Sequence, residues 1–187
     1  MPRRIVLTGF MGAGKSTVGV RLAQLLGWSF VDLDEEIVRT EGKSIAGIFE
    51  ESGETYFRQL ENHALIEVLT RDGCVVALGG GALETVANQS ALQNDPESLL
   101  VYLEAPLEAL MARCEQQRLA HPAAPRRPVF ENRPELTARF LRRRPLYEAA
   151  HWRIETADTG MEETVQTILR KWNEHTSRAM TGPPNEK

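Results

Sequence analysis

Two cysteines in 187 residues are too few for a disulfide framework, and the four histidines, at 63, 121, 151 and 175, show no metal-ligand spacing. Cys74 opens an apolar run and reads as core, Cys114 falls in a helical stretch, and a reducing compartment is expected. Long apolar runs are missing, which excludes a membrane-spanning helix, and no membrane partner is expected. Met1-Pro2-Arg3-Arg4 leads directly into a strand pattern, which predicts no signal or transit peptide and a cytoplasmic location. An excess of positive charge is also absent: the net charge is −4, so nothing overall favours nucleic acid. Aromatic residues make up only 6%, and Trp28, Trp152 and Trp172 read as packing. No internal repeat is visible. With 42% hydrophobic and 26% charged residues, the chain suits one ordinary domain, expected as a monomer.

Against this background one stretch stands out, Gly9-Phe10-Met11-Gly12-Ala13-Gly14-Lys15-Ser16-Thr17. It satisfies G-x-x-x-x-G-K-[ST], follows the apolar run Ile5-Val6-Leu7, and precedes Val18, Leu22, Leu25 and Leu26 at helical spacing. Strand, glycine loop and helix together make a phosphate site. Backbone N–H groups of Gly12, Ala13 and Gly14 can curl around an anion at the positive end of the helix. Lys15 reaches the β- and γ-phosphates, and the Ser16 hydroxyl takes one Mg²⁺ position, with Thr17 beside it. A second local feature is arginine. Between Arg113 and Arg153 there are ten Arg, four Glu and no Asp, which suits a small polyanionic ligand.

The chain then alternates. Strands are expected over 28–31, 74–78, 99–103 and 152–156, with helices from 33 to 38, from 44, over 54–69, 85–92, from 106, over 135–150 and over 161–172. Ser44 is the expected N-cap, Gly53 a break and Pro145 a kink or break. The pattern stops at 118–132, a long proline- and arginine-rich loop of the kind that serves function. Five strand–helix alternations predict an α/β fold, a doubly wound five-stranded parallel sheet with helices on both faces, of P-loop NTPase type. One domain is expected over 1–175, with a disordered tail over 176–187. The phosphate loop, Asp32 and Asp34, and the run Gly79, Gly80, Gly81 all fall at carboxyl ends of strands, where ligands bind in such sheets.

A phosphate loop alone does not choose among switch, motor and kinase. Neither N-K-x-D nor D-x-x-G after a strand is present, which removes a GTP switch. The third strand ends in glycines, so Asp32 or Asp34 must supply the carboxylate near the metal. The two carboxylates are expected to face apart, one serving the metal and the other an acceptor hydroxyl. Asp34 could equally cap the following helix, Arg58 could be a solvated helix residue, and the run Arg142-Arg143-Arg144 could be a charged surface.

The full set of motifs resembles the shikimate kinase family. The matching pieces are the stretch 9–19, Asp32-Leu33-Asp34, Ser44-Ile45 with Ile48-Phe49, Gly53-Glu54 with Phe57-Arg58, the glycines at 79–81, Arg127-Pro128, and Arg143-Arg144-Pro145-Leu146-Tyr147. The resemblance implies transfer of the γ-phosphoryl group of ATP to the 3-hydroxyl of shikimate, with Mg²⁺, in the biosynthesis of chorismate and the aromatic amino acids. It implies a substrate-binding helical insert over about 33–61 and a mobile lid over about 115–132. It also implies that Arg58 and Arg143 hold the substrate carboxylate and Asp34 the ring hydroxyls. Gly79, Gly80 and Gly81 let the backbone approach the ring, and Asp32 holds water on Mg²⁺. Arg127 swings from the lid onto the transferring group beside Lys15. This chain departs from the family pattern at Val129-Phe130, where two leucines are usual, and around 156–159, where an Arg is often found. Arg118 is the candidate for a second lid arginine. A gluconate kinase or a non-catalytic nucleotide-binding module are the competing readings.

Overall fold

The computed structural model describes residues 2–120 and 132–181, with side chains described through residue 177. Its centre is β1 (Arg4–Thr8), buried along its whole length on both sides. A strand with no exposed side can only sit in a sheet covered on both faces. β2 (Ser29–Asp32), β3 (Cys74–Ala77), β4 (Ser98–Glu104) and β5 (Trp152–Glu155) complete one sheet in the order β2-β3-β1-β4-β5. All four pairings are parallel. The chain builds one side of β1 first and the other side afterwards, so the direction reverses beside β1, and ligands bind at such reversals.

Helix α1 (Lys15–Leu26) follows the glycine loop, and the last helix, α7 (Met161–Thr181), packs beside it. Trp28 and Trp172 meet edge to face there, with centroids 5.2 Å apart. Between them in sequence come α2 (Leu33–Glu41), α3 (Ile45–Val68), a single 3₁₀ turn (Ala82–Glu84), α4 (Val86–Gln93), α5 (Leu107–Ala120) and α6 (Arg133–Glu148). Ser44 caps α3 by accepting from the Gly47 N–H, as expected. Gly53, at φ 78° and ψ 175°, puts a kink into α3 where the break was expected.

Several boundaries differ from the sequence expectation. α5 runs to Ala120 rather than stopping near 118. α6 runs through Pro145 as one helix, where a kink or break was expected. The 3₁₀ turn after the glycines was not foreseen. α7 continues past Trp172 to Thr181, so the expected disordered tail is helical over 176–181. A ring contact between His175 and Trp152, at 5.8 Å, ties that extension to β5. No helix among the described residues is long and apolar enough to cross a membrane.

Candidate active site

The loop over 9–14 turns because glycine tolerates what other residues do not. Gly12 has φ +78°, and a Cβ there would sit 2.5 Å from the Leu110 carbonyl oxygen and 2.8 Å from Cys114 Sγ. α5 therefore packs closely against the loop at Gly12. Lys15 Nζ donates to the carbonyls of Gly9 (2.8 Å) and Phe10 (3.2 Å). The loop opens into a cavity of about 420 Å³ whose walls include Lys15, Ser16, Asp32, Asp34, Gly80 and Arg143.

Asp32 uses its two oxygens separately. Oδ2 accepts from Ser16 Oγ at 2.6 Å, while Oδ1 caps α2 by accepting from the Asp34 N–H at 3.1 Å. The helix cap is thus Asp32, not Asp34. The expectation that the two carboxylates face apart also fails: the chain turns helical at Leu33, and both line the same cavity. Ser16 Oγ and Asp32 are hard oxygen donors at the cavity floor. That set fits Mg²⁺, which takes one or two protein oxygens and completes its shell with phosphate and water. No group of three or more His, Cys, Asp or Glu among the described residues could hold a metal by itself.

A larger cavity, about 880 Å³, adjoins this one and is walled in part by Phe49, Arg58, Asn62, Glu84, Arg139 and Arg143. Arg143 lines both spaces. The glycine run is the junction. A Cβ on Gly79 would lie 2.7 Å from Asp34 Oδ1 and 3.1 Å from Glu61 Oε1. A Cβ on Gly81 would lie 2.8 Å from Arg58 Nη2 and 2.9 Å from Arg143 Nη2. Asp34 therefore approaches one glycine, and both guanidinium groups converge on another two residues away. Gly80 is held by Tyr147, whose buried hydroxyl donates to the Gly80 carbonyl at 2.5 Å. Burial pushes the Tyr147 phenol pKa up, which keeps it a donor.

Within the arginine run the roles separate by exposure. The Arg143 side chain is 10% exposed and Arg142 is 65% exposed. The register Arg143-Arg144-Pro145-Leu146-Tyr147 thus places the inward guanidinium at 143, where it was expected.

Two acidic residues of the site escaped the sequence reading. Glu61, 1% exposed, accepts from Arg58 Nη1 at 2.9 Å. Burial is the main cause pushing its pKa up, Arg58 pulls it back, and Asp34 adds to the rise. Burial works against the Arg58 charge, but Glu61 and Glu54 outweigh it and its pKa ends raised. A signal for Glu61 existed: it lies between Phe57 and Leu65 on the buried stripe of α3, where an unpaired carboxylate would be costly. Glu84 follows the glycines and bonds Arg142 and Arg143. Burial opposes its charge, yet the two arginines hold its pKa below the usual range.

Behind the loop lies a third cavity, about 240 Å³, bounded by Gly12, Thr17, Arg113, Gln117, Thr156 and Thr159. Arg113 comes from α5 and donates to the Thr156 carbonyl and, at 3.1 Å, to Thr156 Oγ1. The loop over 156–159, which lacks its own arginine, thus receives one from another element, a residue the sequence reading did not single out. Of the lid expected over 115–132, residues 115–120 form the end of α5, with Arg118 paired to Glu115 at 2.5 Å. Arg127 lies outside the described residues.

A shikimate kinase family model matches residues 11–173. The chain is 43% identical over 173 residues to a shikimate kinase of Salinibacter ruber, covering 90% of this chain and 83% of that one. It is 39% identical to a shikimate kinase of Persephonella marina, covering 89% and 97%. Among solved structures, shikimate kinase from Acinetobacter baumannii in complex with shikimate superimposes with a TM-score of 0.82. That match has 36% identity and covers 95% of this chain and 97% of the other.

Proposed function

The chain belongs to the shikimate kinase family, and on that premise we propose that it transfers the γ-phosphoryl group of ATP to the 3-hydroxyl of shikimate. The observation that carries the reading is Arg143, which lines both the phosphate-loop cavity and the larger cavity beside it. A group held by Arg143 therefore lies beside the nucleotide cavity.

Shikimate has one carboxylate and three ring hydroxyls. Arg58 and Arg143 receive the carboxylate, since a planar guanidinium can pair with two oxygens at once. Asp34 accepts from the attacking hydroxyl and takes its proton as the new P–O bond forms. The bond between the γ-phosphorus and the bridging oxygen breaks, and ADP leaves. Gly79, Gly80 and Gly81 keep the wall flat enough for the ring to approach, with the Gly80 N–H directed to it. Backbone N–H groups of Gly12, Ala13, Gly14 and Lys15, with the side chains of Lys15 and Thr17, hold the phosphates at the start of α1. Ser16, and Asp32 through water, would hold Mg²⁺; when bound with ATP it supplies positive charge to the phosphate oxygens. Arg127, from the lid, adds a guanidinium to the transferring group and closure keeps water away. The working unit is a monomer in the cytoplasm.

The test offers MgATP with shikimate, with gluconate and with no acceptor, and follows ADP release. Release that requires shikimate and yields shikimate 3-phosphate by mass supports the reading. Release with gluconate alone replaces it with a gluconate kinase, and silence with all three leaves a nucleotide-binding module.

A further inference from the structure

Glu84 sits at the end of the 3₁₀ turn that directly follows the glycine run. Its Oε2 accepts from Arg143 Nε at 2.9 Å and Nη2 at 2.6 Å, and lies 3.7 Å from Arg58 Nη2. The Nε–Nη2 edge of a guanidinium is one that a carboxylate engages with two parallel bonds. Glu84 therefore occupies a donor edge of Arg143 that a bound acid would use. Arg58 is committed as well, with Nη1 to Glu61 at 2.9 Å and Nη2 to Glu54 at 3.0 Å. The other oxygen of Glu84 faces outward and accepts from Arg142 Nε at 3.0 Å and Nη2 at 2.8 Å. Arg142 is 65% exposed, Glu84 20% and Arg143 10%, so this carboxylate bridges an inner arginine and an outer one.

We propose that Glu84 is an internal carboxylate that holds the acceptor's carboxylate seat in the empty enzyme and is drawn off it by Arg142 when the acceptor binds. The inference rests on the reading of Arg58 and Arg143 as the carboxylate seat. Two anions cannot share one guanidinium edge, so the incoming acid competes with Glu84. Release is feasible because Arg142 already grips the second oxygen, and one charge-assisted pair is exchanged for another near solvent. Glu84 thereby sets acceptor affinity and selects for acids: a ring polyol without a carboxylate has nothing to offer Arg143 in exchange.

The experiment measures shikimate Kd without ATP for the wild type, Glu84→Gln, Glu84→Ala, Arg142→Ala and Arg143→Ala, with ADP titrated into each variant as the check on folding. Removing one competing anion at a partly exposed site should tighten shikimate binding about three- to tenfold in both Glu84 variants. Arg142→Ala should weaken it, because the released carboxylate then has nowhere to go. The neutral methyl ester of shikimate should gain nothing from Glu84→Gln. Unchanged or weaker shikimate binding in both Glu84 variants would overturn the proposal, and would mean that Glu84 orients the arginines instead. Failure of the underlying site reading looks different: Arg143→Ala would then leave shikimate Kd unaltered. If Arg143→Ala weakens binding while the Glu84 variants do not tighten it, the seat stands and the competition is refuted.

Discussion

Arg58 Nη1 donates to Glu61 Oε2 at 2.9 Å one turn along α3, and the carboxylate that receives it is 1% exposed. A charge buried that deeply persists because of its partner, and in return it fixes the partner's direction. The pair thereby holds the Arg58 guanidinium over Gly81, where Arg143 also arrives. The isosteric change Glu61→Gln keeps the shape and removes the charge. It should raise KM for shikimate roughly tenfold, the scale of one lost charge-assisted hydrogen bond, with a smaller effect on KM for ATP. Steady-state kinetics in both substrates checks this. An equal rise in both would show that the pair supports the whole fold rather than the acceptor side.

Gly79 is the tightest point between backbone and acid. A methyl group there would lie 2.7 Å from Asp34 Oδ1 and 3.1 Å from Glu61 Oε1, so Asp34 must move. Gly79→Ala should lower kcat by about 10²-fold, since a displacement near 1 Å at the reacting group costs that much. Binding of ADP, which depends on the loop over 9–14, should survive. Single-turnover phosphoryl transfer beside an ADP titration separates the two.

Glu36 on α2 accepts from Arg39 and from Arg71, the latter at 2.8 Å, and these bonds lower its pKa from 4.5 to about 2. A carboxylate whose folded pKa is depressed adds stability above its unfolded pKa and loses that contribution as pH falls through the folded value. The wild type should therefore melt roughly 1–3 °C above Glu36→Gln at pH 7, a partly screened effect. The gap should narrow from about pH 4.5 downward and close near pH 2, as the pKa values require. Thermal melts across that range test it. A gap that does not depend on pH would assign the effect to packing.

Much of this was legible in the sequence because it is local. The strand–loop–helix over 4–26, the Ser44 cap and the Gly53 kink each follow from a few neighbouring residues. Arg143 could be singled out only through its spacing to Pro145-Leu146-Tyr147, and the fold then buries it while leaving Arg142 and Arg144 exposed. What stayed hidden depends on pairings across the chain. Glu84 contacts arginines 58 and 59 residues away, and Arg113 meets Thr156 across 43 residues. Asp32 and Asp34 were expected to face apart, yet alternate residues of a strand share a face, and the helix that begins at Leu33 also keeps both on one cavity.

Acceptor binding, as proposed, depends most on Arg58 and Arg143 holding the acceptor's carboxylate beside the nucleotide cavity. The direct test is the Kd of shikimate and of ADP for Arg58→Ala, Arg143→Ala and the double variant. Each single change should weaken shikimate about 30- to 300-fold, the scale of a lost charged pair at a partly buried site, and alter ADP affinity far less. Shikimate binding that survives the loss of both arginines would contradict it.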